Sequence, residues 1–121
     1  MGKRRKGREI VLQASYASMI SGASLSDTLK DQLDRRESAD ETSEFAEDLM
    51  QKIQLNRTDL KNKMTDLISY SNWDPSRVGL LEKVILTIGL AELLHSREVP
   101  VKVVLNEALE LTRRYCDEGA V

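Results

Sequence analysis

The sequence predicts an all-α fold, and three observations support this prediction. Helix-favouring residues such as Leu, Glu, Lys, Arg and Ala dominate the 121-residue chain, and runs of β-branched residues are short. The two prolines, Pro75 and Pro100, both come just before or at the start of predicted helices. Apolar residues recur at steps of three and four positions, which places them on one face of a helix. The length suits a single domain with one core.

The first half of the chain contains three predicted helices. Gly22 ends the first, because glycine readily adopts the left-handed conformation that closes a helix. Ser24 and Asp27 have the spacing of a capping box at the start of the second. Phe45 lies on the apolar face of the third, with Leu49 and Ile53. The predicted bounds are residues 9–21, 25–36 and 41–55. Residues 1–8 are expected either to continue the first helix or to fray just before it, because Gly7 weakens a helix there.

The second half contains three more predicted helices. Thr58 is the expected N-cap of the fourth, and Asp74 followed by Pro75 is typical of a further helix start. The fifth is apolar on nearly every side, so we expect it to be the buried core of the domain. Its exposed edge is predicted to carry Glu82, Lys83 and Glu92. The predicted bounds are residues 59–70, 80–95 and about 101–115.

The sixth helix begins after Val99 and Pro100 and carries an apolar face. Asn106 and Glu107 stand among its apolar residues, and a buried Asn106 is expected to satisfy backbone groups at a helix crossing. The side chains predicted to face inward are Val104, Leu105, Ala108, Leu111 and Tyr115.

Charge is distributed unevenly along the chain. Residues 1–8 form a basic N-terminal arm without any acid, whereas the rest of the chain has 13 basic and 20 acidic residues and so a formal charge of −7. Residues 9–121 are predicted to be one helical domain. Basic arms of this kind commonly contact phosphates, although a solvated terminus has the same composition. The candidate RNA-binding residues of the arm are Lys3, Arg4, Arg5, Lys6 and Arg8.

Gln13 and Tyr16 lie within one turn of each other on the first helix, where they share a face with Arg8 or Glu9. A tyrosine can stack on an unpaired base, and a glutamine can bond to a base edge, as proteins that bind single-stranded RNA often do. The alternative is that Tyr16 is a half-buried core residue.

Several classes of protein find no support in the sequence. Cys116 is the only cysteine, so an internal disulfide is impossible and a reducing cytoplasmic setting is expected. No apolar run reaches the roughly 18 residues that a membrane helix requires. His95 is the only histidine, and no phosphate-binding loop or catalytic motif is present. We therefore expect no metal, no cofactor and no enzymatic activity.

Three stretches resemble one known family. Residues 5–16 (RKGREIVLQASY) are similar to its basic opening, and residues 81–86 (LEKVIL) with 91–93 (AEL) are similar to its central helix. The most specific stretch is residues 99–111 (VPVKVVLNEALEL), which matches a signature of the family nearly residue for residue. The chain thus resembles the NusB family of transcription antitermination factors over its whole length, most weakly across residues 23–58.

The resemblance implies a fold of two small helical bundles packed across each other. It also implies a partner, ribosomal protein S10 (called NusE in this role), and a ligand, the boxA element of nascent RNA. Such a pair helps the RNA polymerase antitermination complex to read through terminators, notably in ribosomal RNA operons. In the family, the residue that corresponds to Tyr70 contacts RNA. An equally good interpretation is that Tyr70 is an ordinary aromatic residue at the edge of the core. A position like Glu82 lies at the S10 interface, and Lys83 can serve either RNA or S10.

The chain departs from the family at its C-terminus, where the family has a further helix after the position of Val121. If that helix is absent, its apolar neighbours in the second bundle are exposed.

Two alternative functions remain open. RNA cytosine methyltransferases carry a similar RNA-binding domain, but the start at Met1 and the missing cofactor segment favour a free-standing protein. A homodimeric helical interaction module without an RNA role is the other alternative.

Overall fold

A computed structural model describes residues 2–71, 74 and 78–116. The described residues form six α-helices and no strand, which confirms the predicted all-α class. In chain order the helices are α1 (Gly2–Ser21), α2 (Leu25–Arg35), α3 (Asp40–Leu55), α4 (Arg57–Tyr70), α5 (Leu80–His95) and α6 (Val101–Tyr115). No described helix is long and apolar enough to cross a membrane.

The chain divides into two compact units, residues 1–52 and residues 53–121. In the first unit, α2 packs against α1 after a turn at Gly22, whose φ of 81° is the left-handed conformation predicted for this glycine. The Ser24 side chain accepts a hydrogen bond from the backbone N–H of Asp27, as the capping prediction required. The Thr28 hydroxyl donates to the Ala14 carbonyl at 2.8 Å and thereby ties α2 to α1.

The second unit contains the end of α3 together with α4, α5 and α6, and α5 contacts both α4 and α6. The predicted bounds of α5 and α6 are confirmed. Thr58 does not cap α4, because that helix already begins at Arg57 and its first turn closes through the Asn56 carbonyl and the Leu60 N–H. Asp74 is exposed outside any helix, and Pro75 lies outside the described residues.

Three burial predictions for α5 and α6 are wrong. Glu92, predicted on the exposed edge of α5, is only 2% exposed. Asn106, expected to be buried, is exposed, and its neighbour Glu107 is the buried polar residue of α6. Leu105, predicted to face inward, is 53% exposed. In α5, where apolar residues surround the helix, the pattern does not show which side meets a neighbour. In α6 the buried face is narrower than the apolar pattern indicated.

Candidate nucleic-acid interface

The basic arm is part of α1. The helix begins at Gly2, so Lys3, Arg4, Arg5 and Lys6 occupy its first two turns, and of the two expectations for the arm the continuous helix is the one found. No acidic residue lies in the first turn. The N-terminal end of a helix carries a partial positive charge, which is unfavourable next to basic side chains. A bound anion would offset both positive charges. This end of α1 therefore favours binding of phosphate groups.

Helical spacing sorts the basic residues into two sides of α1. Arg5, Glu9, Gln13 and Tyr16 follow one another at steps of four, four and three residues, which places them along one side, with Lys6 beside them. Lys6 and Tyr16 are exposed there, and the others are half-buried. We call Arg5, Lys6, Gln13 and Tyr16 the α1 face. Arg4 and Arg8, one turn apart, point to a different side, so Glu9 and not Arg8 shares the side of Gln13 and Tyr16.

Arg8 is buried, with only 2% of its surface exposed. Its guanidinium lies 4.9 Å from the centre of the Phe45 ring on α3, and that of Arg4 lies 5.7 Å from the same ring. Both distances are within the range of a cation–π interaction, which is stronger where the cation is shielded from water. Arg4 is exposed and keeps its access to a ligand. Arg8, by contrast, is placed to hold α1 on α3.

Gly7 allows this close approach of α1 to Phe45. A Cβ atom built on Gly7 would lie 2.8 Å from Cδ2 of Phe45 and 3.3 Å from the carbonyl oxygen of Thr42. Glycine disfavours helix, which is why the sequence suggested a frayed start. Packing against α3 overrides that preference, and the first two turns of α1 are helical and lie against α3.

Gly7→Ala is accordingly expected to destabilise the protein by about 1–3 kcal/mol, since the added methyl group collides with a packed ring and a backbone carbonyl. Gly2→Ala is the matched control in the same helix, because nothing lies within 4 Å of a Cβ at Gly2. Urea unfolding followed by circular dichroism measures both variants. Equal stability of the two would show that the contact with Phe45 does not constrain α1.

Gln13 is engaged by a residue that sequence analysis missed. Its side-chain Oε1 accepts a hydrogen bond from Nη2 of Arg36, the residue that ends α2. Tyr16 is 39% exposed, so part of its side chain is accessible to a ligand and part is covered by the protein. Lys3 lies 3.7 Å from Glu41 in an exposed ion pair, which contributes little and is easily exchanged for a ligand.

The remaining predicted residues lie in the second unit. Tyr70, the last residue of α4, is 91% exposed, so its ring is accessible. Glu82 and Lys83 are half-buried in the first turn of α5. The Glu82 carboxylate folds back against Gly79, the N-cap residue of α5, where a negative charge stabilises the helix. Among the described residues, no group of three His, Cys, Asp or Glu side chains is placed to hold a metal ion.

Comparison with known proteins agrees with this architecture. The family model described as "NusB family" matches residues 5–121. The chain is 35% identical to Transcription antitermination protein NusB of Trichlorobacter lovleyi over 118 residues, which cover 98% of this chain and 82% of the relative. It is 32% identical to the protein of the same name from Dehalococcoides mccartyi strain 195, over 93% of this chain and 77% of that relative.

The fold has a counterpart among solved structures. T. maritima NusB superimposes with a TM-score of 0.84 at 23% sequence identity, covering 97% of this chain and 81% of that one. The family match extends over nearly the whole chain, and the similarity to the T. lovleyi relative covers most of both proteins. On these grounds the chain belongs to the NusB family.

Proposed function

We propose that this protein is a transcription antitermination factor that pairs with ribosomal protein S10 and binds boxA RNA. The names of its relatives support the general role. The observation that carries the RNA part of the proposal is the α1 face, where two cations, an amide and an accessible tyrosine follow one another along the same side of a helix. The proposed role belongs to the cytoplasm and needs neither cofactor nor catalysis.

Each residue of the α1 face has a distinct proposed task. Arg5 and Lys6 bind backbone phosphates, with Lys3 and Arg4 at the end of the same helix extending the positive surface. Tyr16 stacks on an unpaired base, and Gln13, which Arg36 holds through its side-chain oxygen, reads a base edge. Glu9 shares this side and lowers its positive charge, so Arg5 beside it is needed to keep the surface attractive to RNA.

Outside the first unit, the proposal includes Tyr70 as a second stacking residue, because its ring is accessible at the end of α4. Arg8 takes the role of a positioning residue, because its guanidinium is buried beside Phe45. Binding of S10 is proposed to involve Glu82 and Lys83, with the acidic remainder of the chain attracting a basic protein.

The experiment that tests this function measures RNA binding by fluorescence anisotropy, using a single-stranded boxA-type RNA and a scrambled RNA of the same composition, each with and without S10. We expect S10 to form a heterodimer with the protein and to strengthen binding of the boxA-type RNA over the scrambled one. Failure to bind S10, or equal affinity for the two RNAs in its presence, would refute the proposal. A homodimer that binds neither would support the interaction module instead.

The S10 interface has its own prediction. Glu82→Gln removes one negative charge but preserves size and hydrogen bonding, and we expect it to weaken S10 binding about two- to fivefold, because charge complementarity governs such association. Glu110→Gln is the control of equal charge change, since Glu110 pairs with Arg113 and Arg114 within α6. Isothermal titration with S10 compares the two, and equal affinities would remove Glu82 from the interface.

A further inference from the structure

Arg36 lies next to the α1 face although it belongs to another part of the chain. It follows the last residue of α2, and its backbone N–H donates to the Leu33 carbonyl, which fixes the end of that helix. The two helices pack together, and the Thr28 hydroxyl bonds to the backbone of α1. The Arg36 side chain is half-buried and donates from Nη2 to Oε1 of Gln13. The fold thus brings a cation from the end of α2 to Gln13 on α1.

We propose that Arg36 is a further RNA-binding residue, which contacts the RNA strand beside Gln13 and fixes the orientation of the Gln13 amide. This inference rests on the RNA-binding function proposed above and extends its site from α1 to the end of α2. The chemistry favours an arginine in this position. A guanidinium has five donors in one plane, so one edge can hold Gln13 while the remaining donors bind a phosphate or a base.

The hydrogen bond also fixes the orientation of the Gln13 side chain. Its carbonyl oxygen accepts from Arg36, so a ligand that reaches this point meets the donors of the guanidinium. An RNA strand supplies acceptors for such donors in its phosphate oxygens and in several base-edge positions. Arg36 adds a positive charge beside the side of α1 that already carries Arg5 and Lys6.

The preceding residue, Arg35, is a matched control. It is the same amino acid, it adjoins Arg36, and its removal changes the net charge equally. Its guanidinium, however, lies 3.2 Å from Asp31 one turn earlier on α2, in an ion pair in which both side chains are more than half exposed. Arg35 thus faces an acid on its own helix, whereas Arg36 reaches across to α1.

The test compares Arg36→Ala and Arg35→Ala in the 121-residue protein with S10, using the boxA-type RNA at several salt concentrations. We expect Arg36→Ala to weaken binding about tenfold and to reduce the slope of log affinity against log salt by about 0.7, the value for one phosphate contact on a single strand. Arg35→Ala is expected to stay within about twofold of the original protein, with an unchanged slope.

Arg36→Lys guards against a purely structural effect. Lysine retains the charge but not the planar fork, so we expect the original salt slope with an affinity below that of the original protein. Equal affinities and slopes for the two alanine variants would overturn the inference, as would a lysine variant whose slope is reduced like that of Arg36→Ala. If the unaltered protein shows no RNA binding, the proposed function itself fails, which is a distinguishable result.

Discussion

Replacing Arg5 and Lys6 together by alanine is expected to weaken binding of the boxA-type RNA by about 100-fold. Each side chain is proposed to make a charge-assisted hydrogen bond to a phosphate, and the loss of one such bond costs about tenfold or more. Binding of S10 should be unchanged, because neither residue is among those proposed to contact S10. Anisotropy with labelled RNA and titration with S10 measure the two effects separately.

The control for this variant is Arg113→Ala combined with Arg114→Ala. These are two consecutive basic residues on α6, so the change in net charge is the same, and both pair with Glu110. We expect them to alter RNA binding less than about threefold through general electrostatics alone. Similar losses in both double variants would mean that RNA responds to overall charge, and that the α1 face is not the binding site.

Arg8→Ala is expected to lower the free energy of unfolding by about 2–4 kcal/mol. Arg8 is buried, packs over Phe45 and has further contacts, so truncation removes buried packing together with those contacts. Arg4→Ala removes an exposed guanidinium from the same ring and should cost less than about 1 kcal/mol. Urea unfolding followed by circular dichroism compares these two variants.

RNA binding distinguishes the roles of the same two residues. At a temperature where both variants are folded, Arg4→Ala should lose more RNA affinity than Arg8→Ala. The account is contradicted if Arg8→Ala loses more RNA affinity than Arg4→Ala and is as stable as the unaltered protein. Arg8 would then contact RNA directly, and its packing on Phe45 would not contribute to stability.

Sequence reasoning placed helix ends correctly at three local signals. Ser24 caps α2, Gly22 closes α1, and Pro100 precedes α6, and at each of these places the chemistry of one residue decides the backbone conformation. The start of α1 was left open between a helix that includes the arm and one that frays before residue 9, because Gly7 weakens a helix locally. The close approach of Gly7 to Phe45, 38 positions later, is a tertiary contact that no local pattern contains.

The candidate site was predictable in its composition but not in its arrangement. The basic residues and the Gln13–Tyr16 pair stand out in the sequence, and helical spacing alone separates Arg5 from Arg8. The burial of Arg8 and the contact of Arg36 with Gln13 depend on how α2 and α3 pack against α1. Local periodicity carries no information on such packing. The one available signal for Arg36 was a pair of arginines at the end of a predicted helix.

The salt dependence of RNA affinity is the most direct measurement of whether the first two turns of α1 hold the RNA backbone. Titrations of the unaltered protein and of the Arg5 and Lys6 double alanine variant, each with S10, give two slopes of log affinity against log salt. Two lost phosphate contacts should make the variant's slope shallower by about 1.4. Parallel slopes would contradict the account, because they would show that neither cation is close to a phosphate in the complex.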